Sequence, residues 1–250
     1  MNEPNLRGIA PAQAISCILG GIPTLFGDAS MRRQMITGVL VNAVAFLGLF
    51  VLTVWGVFAA TSGMTDGGWL LAIAGWIARI ALTAGLIFIT PVLFMLLSDI
   101  VRPMFNGKIF MAARTRAGGE NKEGPEGWMN EARVISNDLR RLVRLVVFSL
   151  LILPLNLIPV VGNAAYFLIQ TLIVCHTMGW DLMGYHFELH GFSLAQQKVF
   201  CKQNRAMILG IGAVGTLLCL VPIVQFFFVS TNVAGSGLLS AAIDSRAALQ

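Results

Sequence analysis

Leu145 to Trp180, LVVFSLLILPLNLIPVVGNAAYFLIQTLIVCHTMGW, contains no Asp, Glu, Lys or Arg. As one helix it would measure about 55 Å at about 1.5 Å per residue, well beyond a hydrocarbon core of about 30 Å. The break is written near its middle, at Leu155-Asn156-Leu157-Ile158-Pro159-Val160-Val161-Gly162, since proline removes a backbone donor and clashes with the preceding turn. A second uncharged run, Ala206 to Ile243, has the same excess length and a similar interruption, Leu218-Cys219-Leu220-Val221-Pro222-Ile223-Val224-Gln225. Two helical hairpins are therefore predicted, over 145–180 and 206–243. Arms such as Gly162 to Met178 or Ile223 to Leu239 hold about 17 residues and reach about 25 Å. That length suits re-entrant hairpins that enter and leave on one side, their turns shielded by protein. The repeated Leu-x-Leu-aliphatic-Pro pattern hints at internal duplication.

Working outward, Gln34 to Thr65 carries no charge, nor does Ile80 to Ser98, which extends back to Trp69 if Arg79 is tolerated. These predict full spans over 34–60 and 69–98, joined around Gly63 to Gly68. The expected fold is a single membrane domain, all-α and integral, with two long transmembrane helices plus two hemipenetrating hairpins. The remaining segments read as a short amphipathic interfacial helix ending in an arginine pair (12–33), a cytoplasmic helical segment (99–144) and a cytoplasmic connector (181–205). Within 99–144, Ala117 to Gly127 is a flexible patch.

Composition agrees. Hydrophobic residues make up 56% and charged residues 12%, against about 25% charged in soluble domains. This excludes a soluble enzyme or a nucleic-acid binder as a first reading; the net charge of +5 anchors loops at an anionic membrane surface, so membrane lipids are expected partners. Cations flank the first span (Arg32, Arg33), follow the second (Arg102 to Arg144) and separate the hairpins (Lys198, Lys202, Arg205), while the loop between the spans holds only Asp66. Both termini are thus predicted to be cytoplasmic in a multi-pass arrangement. The N-terminus lacks the basic region and unbroken apolar core of a signal peptide. Cys17, Cys175, Cys201 and Cys219 show no CxxC spacing and read as small buried hydrophobes.

Arg102-Pro103-Met104-Phe105-Asn106-Gly107, Ile158-Pro159-Val160-Val161-Gly162-Asn163 and Gly210-Ile211-Gly212-Ala213 before Val221-Pro222 resemble the CysZ-type sulfate permeases, whose wider family includes the eukaryotic etoposide-induced membrane protein. Order and spacing match from about Ser16 to Leu239. The resemblance implies two transmembrane helices with two hemipenetrating hairpins, homo-oligomerisation, the bacterial inner membrane, and sulfate uptake that supplies cysteine synthesis. Ala29-Ser30-Met31-Arg32-Arg33 stands where many such chains have Pro-Gly-aliphatic-Arg. Met111 and Arg114 stand where they carry acids, and Gly184-Tyr185-His186 replaces their Asp-Tyr-Pro.

The candidate substrate site is Ser30, Met31, Arg32 and Arg33. A helix N-terminus offers unbonded N–H groups and about half a positive charge, and arginine grips a tetrahedral oxyanion through paired hydrogen bonds. The same arginines also suit lipid headgroups. Arg79, inside the second span, either lines an anion path, pairs at an oligomer interface or snorkels to the outer surface. Asn106, Asn156 and Asn163 are candidates for the path or for packing. Asn156, Asn163, Gln170 and Gln225 lie at hairpin depth, where they donate to an anion or satisfy broken backbone.

Gly210-x-Gly212-x-x-Gly215 matches a dinucleotide fingerprint by letter, but no strand precedes it, so close helix packing is expected. His186 and His190 lie one helical turn apart with Glu188 between them, and only His176 offers a third imidazole; a solvated interfacial face is expected rather than a metal. There is no P-loop and no hydrolase constellation, so neither cofactor nor enzymatic activity is expected. The function expected is a permease for sulfate or a similar oxyanion, working as a homo-oligomer. The alternative is a non-transporting scaffold or lipid-interacting protein of the same fold.

Overall fold

The computed structural model describes residues 8–65, 68–120, 128–220 and 225–249, and their side chains except those of 63–65, 71, 86–104, 128–135, 138, 142, 225, 226 and 228. All regular structure among them is helical. The chain forms two units, Met1–Arg32 with Gly107–Gln250, and Arg33–Asn106.

In the first unit, α1 (Pro11–Gly27) opens with proline in its first turn, where the missing N–H is not needed. Ala14, Ile18, Gly21 and Leu25 are buried along one stripe, and the helix lies along α9 (Gln225–Ala248) and against α8 (Arg205–Cys219). Gly21 makes this possible: a Cβ there would stand 2.2 Å from the Thr231 carbonyl oxygen, so only glycine allows the two backbones to touch. The helix expected to lie in the interface thus has its apolar stripe on protein, with Leu19 and Phe26 left exposed.

α9 is buried continuously from Ser230 to Gly237, the mark of a helix surrounded on all sides. Polar Thr231, Asn232 and Ser236 are included, and Ser240 is buried one turn further on. α5 (Val161–Leu182) crosses α8 at a second close approach, where a Cβ on Gly212 would lie 1.7 Å from the Cys175 carbonyl oxygen and one on Gly179 2.0 Å from that of Ile208. This is the packing role expected of the glycine-rich stretch. Short helices α6 (Gly184–Leu189) and α7 (Leu194–Gln203) follow α5. The α7 start is fixed by a capping box between Ser193 and Gln196. Phe187, Phe192 and Phe200 pack with ring centroids 5.3 to 6.3 Å apart in a core that also takes Ile208, Ile211, Leu239 and Ile243.

α4 (Trp128–Ile152) packs antiparallel to α5 through a turn that starts with the 3-10 segment Leu153–Leu157. The break falls where the prolines put it. Val161 N–H bonds the Pro159 carbonyl at 2.7 Å and Val160 takes φ 63°, ψ −66°, a strained γ-turn carried by a β-branched residue. Leu157 and Val160 are 84% and 80% exposed, a tip that suits lipid or protein better than water. α5 runs through Asp181 for 22 residues, about 33 Å, so it is longer than the arm expected from the uncharged run. Arm length therefore does not argue for a hairpin stopping part-way. In the second hairpin α8 ends at Cys219 and α9 begins at Gln225; residues 221–224, with Pro222, lie outside the described residues, as do 121–127 of the expected flexible patch, 66–67 of the inter-span loop and the side chain of Gln225.

The second unit comprises α2 (Ala29–Thr65) from Arg33 and α3 (Trp69–Arg116) up to Asn106. Arg79 meets Thr61 and Phe105 faces Gly38, so the two helices run antiparallel. From Gly38 to Thr61 is about 35 Å of helix, enough to cross a bilayer core. Among the described residues two helices are both long and apolar enough to span: Ala29–Ser62, the expected first span, and Val161–Leu189, which sequence alone gave to a hairpin. The expected second span lies within the unbroken α3, of which Ala72–Gly85 is apolar.

Candidate functional site

α1 and α2 are separated by Asp28, which is extended (φ −116°, ψ 119°). Its carboxylate Oδ1 accepts from the Ser30 N–H at 2.8 Å and the Met31 N–H at 3.1 Å, while its backbone carbonyl accepts from Arg32 N–H. Asp28 is thus the N-cap of α2, and the helix end expected to await an anion already holds a carboxylate. The other oxygen accepts from Arg116 Nη1 at 3.3 Å. Asp28 and Arg116 line an open depression with Met111, Ala112 and Thr115.

Of the four predicted residues, Ser30 contributes its backbone, Met31 buries its side chain, and Arg32 and Arg33 are exposed. Asp28 and Arg116 were missed. The aspartate before an uncharged helical run is a readable capping signal; nothing adjacent in sequence pairs it with Arg116.

The path candidates do not converge. Arg79 donates from Nε to Thr61 Oγ1 at 2.8 Å and places its guanidinium 5.0 Å from the Phe58 ring and 5.2 Å from the Trp76 ring. The charge is stabilised there by ring faces. Asn106 is buried at the end of the second unit, whereas Asn156 and Asn163 are exposed at the first hairpin turn. Gln170 bonds Ser149 across that hairpin at 3.1 Å.

A polar cluster lies where α3, α6 and α9 meet, and it buries His186 of the histidine pair that was expected on a solvated interfacial face, because α9 covers it. Arg114, 1% exposed, bonds Asp244 at 2.5 Å, the Ser240 hydroxyl at 2.6 Å and the Glu120 carbonyl at 3.2 Å. Ser240 Oγ also lies 2.8 Å from His186 Nδ1, and His190 Nε2 is 3.1 Å from Asp244. Burial alone would raise the Asp244 pKa, but hydrogen bonds from His190 and Arg114 outweigh it and hold the carboxyl near 2. The third group beside the histidine pair is therefore Asp244, and His176 instead stands edge-on to Trp180. His186, His190 and Asp244 offer donor atoms within 4.8 Å of one another. Arg114 supplies the positive charge that a metal would, and a divalent ion would face its guanidinium directly. The cluster reads as a structural ion-pair network.

Unbroken apolar helices, a buried arginine ion-paired inside a helical core and glycine-mediated crossings define a helical membrane protein. The chain matches, over residues 17–230, the family model described as Sulfate transporter CysZ/Etoposide-induced protein 2.4, and it belongs to that family.

Proposed function

We propose that the protein is a permease for sulfate or a related oxyanion, acting in the bacterial inner membrane as a homo-oligomer with cytoplasmic termini and hemipenetrating hairpins, and supplying cysteine synthesis. The supporting observation is Asp28. A carboxylate held by two helix N–H groups and Arg116 has the chemistry of a bound oxyanion. Substrate enters by displacing it, with Arg32 and Arg33 drawing the dianion to the α2 start and Ser30 and Met31 presenting their N–H groups. The same cap also favours the alternative, a non-transporting scaffold or lipid-interacting protein, because it leaves the helix end satisfied without any ligand.

Radiolabelled sulfate flux into proteoliposomes separates these readings. Wild type should transport, and Arg32→Lys with Arg33→Lys should insert normally yet lose about tenfold in flux, since lysine keeps charge without the planar fork. Asp28→Asn should bind sulfate more tightly, having kept a cap and lost the competing charge. No wild-type flux would establish the scaffold; full flux in the lysine pair would move the site elsewhere.

A further inference from the structure

A groove of about 360 Å³ opens between α4, α5 and α8. Its walls are apolar, formed by Leu145, Phe148, Ile169, Leu172, Ile173 and Leu209, and Arg141, Arg144, His176, Thr177 and Trp180 complete it. The polarity is graded along the hairpin. Arg141, Arg144 and Trp180 lie at the end away from the Pro159 turn, and Phe148, Ile169 and Leu172 lie about one to three helical turns nearer to it.

The end away from the Pro159 turn gathers the cationic side chains of the groove. Arg144 sits 5.5 Å from the Trp180 ring and 6.0 Å from Phe148, and Arg141 sits 6.0 Å from Trp180. Trp180 is fixed by its indole N–H, which donates to Gln197 at 3.0 Å. Arg141 also pairs with Asp181 at 3.1 Å, and Arg144, over the Trp180 and Phe148 rings, sets a second guanidinium at the same end. That complements a phosphodiester, and the apolar gradient behind it complements an acyl chain. The volume lies at the low end of about 300–1,000 Å³ for ligand pockets, too small for a whole lipid.

We propose that this groove binds one anionic phospholipid, with its phosphate at Arg141 and Arg144 and one acyl chain along Phe148, Leu172 and Ile173. The inference is separate from sulfate transport and stands if the permease reading fails. Basic residues at a membrane surface draw anionic headgroups, and aromatic side chains such as Trp180 favour the headgroup level.

Native mass spectrometry of the full chain in detergent, titrated with phosphatidylglycerol or phosphatidylcholine, tests it. Wild type should retain phosphatidylglycerol about tenfold better. Arg141→Gln with Arg144→Gln should erase the preference, and Leu172→Trp, which fills the groove from an exposed position, should weaken both adducts. Arg140→Gln, on the same helix outside the groove, should change neither. Equal retention of the two lipids by wild type overturns the proposal. So does sulfate displacing the lipid from Leu172→Trp as readily as from wild type, which would mark a bare anion site. A shift in oligomeric mass with lipid binding intact in Leu172→Trp also overturns it, because the groove would then seat a second copy.

Discussion

Arg114 is the residue on which the most polar structure converges. A buried guanidinium is tolerated only when it is paired and bonded, and each of its three nitrogens is engaged, by Asp244, Ser240 and the Glu120 carbonyl. Arg114→Met should therefore destabilise the protein by about 2–3 kcal/mol, because Asp244 keeps only its contact to His190 and loses a charged hydrogen bond. Adding Asp244→Leu should restore part of the loss, read as thermal unfolding in detergent; wild-type stability in the single variant would show that the pair contributes little. The Asp244 carboxyl, held near 2 against an ordinary 3.8, gives the sign with pH. A depressed pKa contributes stability that is complete above about pH 4 and fades as pH falls toward 2, about 2 kcal/mol in all. By charge alone Arg114 and Arg116, two positions on, both read as cytoplasmic cations, and only the family resemblance set Arg114 apart. Burial of one and exposure of the other is decided by which face of α3 meets α9, a tertiary fact invisible to a charge count.

Helices are where sequence reasoning carried furthest. Proline placed the first hairpin break correctly because its effect is local. Glycine-rich packing at Gly212 was likewise legible from the absence of a preceding strand. The α5 length was not, since the helix continues past Trp180 into Asp181 and Leu182, and a charged residue ends an apolar run without ending a helix. The α5–α8 crossing yields the sharpest test at this level. Gly212→Ala must push a methyl against the Cys175 carbonyl, where backbone cannot yield as a flexible side chain can. A loss of about 2–3 kcal/mol is expected. Gly48→Ala, with open space around it, should be neutral or stabilising by up to about 1 kcal/mol. Equal behaviour of the two variants in thermal unfolding would contradict the close crossing.

At the level of the molecule, the first unit is assembled from both sides of an insertion, residues 33–106. The sequence suggested α1 as a surface helix because its polar and apolar residues alternate suitably, a pattern that says one face is covered without saying by what. The cover is α9 and α8. Removing residues 11–27 should uncover buried Thr231 and Gly235 and leave the α9 region open to limited proteolysis, while the same cut elsewhere in an exposed loop should not. Undiminished protease resistance would mean that α9 is held without α1. The order of synthesis adds a further consequence. Gly21 leaves the ribosome 214 residues before Gly235, its contact, and at about 5–20 residues per second α1 waits about 10–40 s for its partner. Throughout that interval its stripe of Ala14, Ile18 and Leu25 is bare, so lipid, the insertion machinery or a chaperone must hold it until α9 arrives, and slowing translation between α1 and α9 lengthens the wait in proportion.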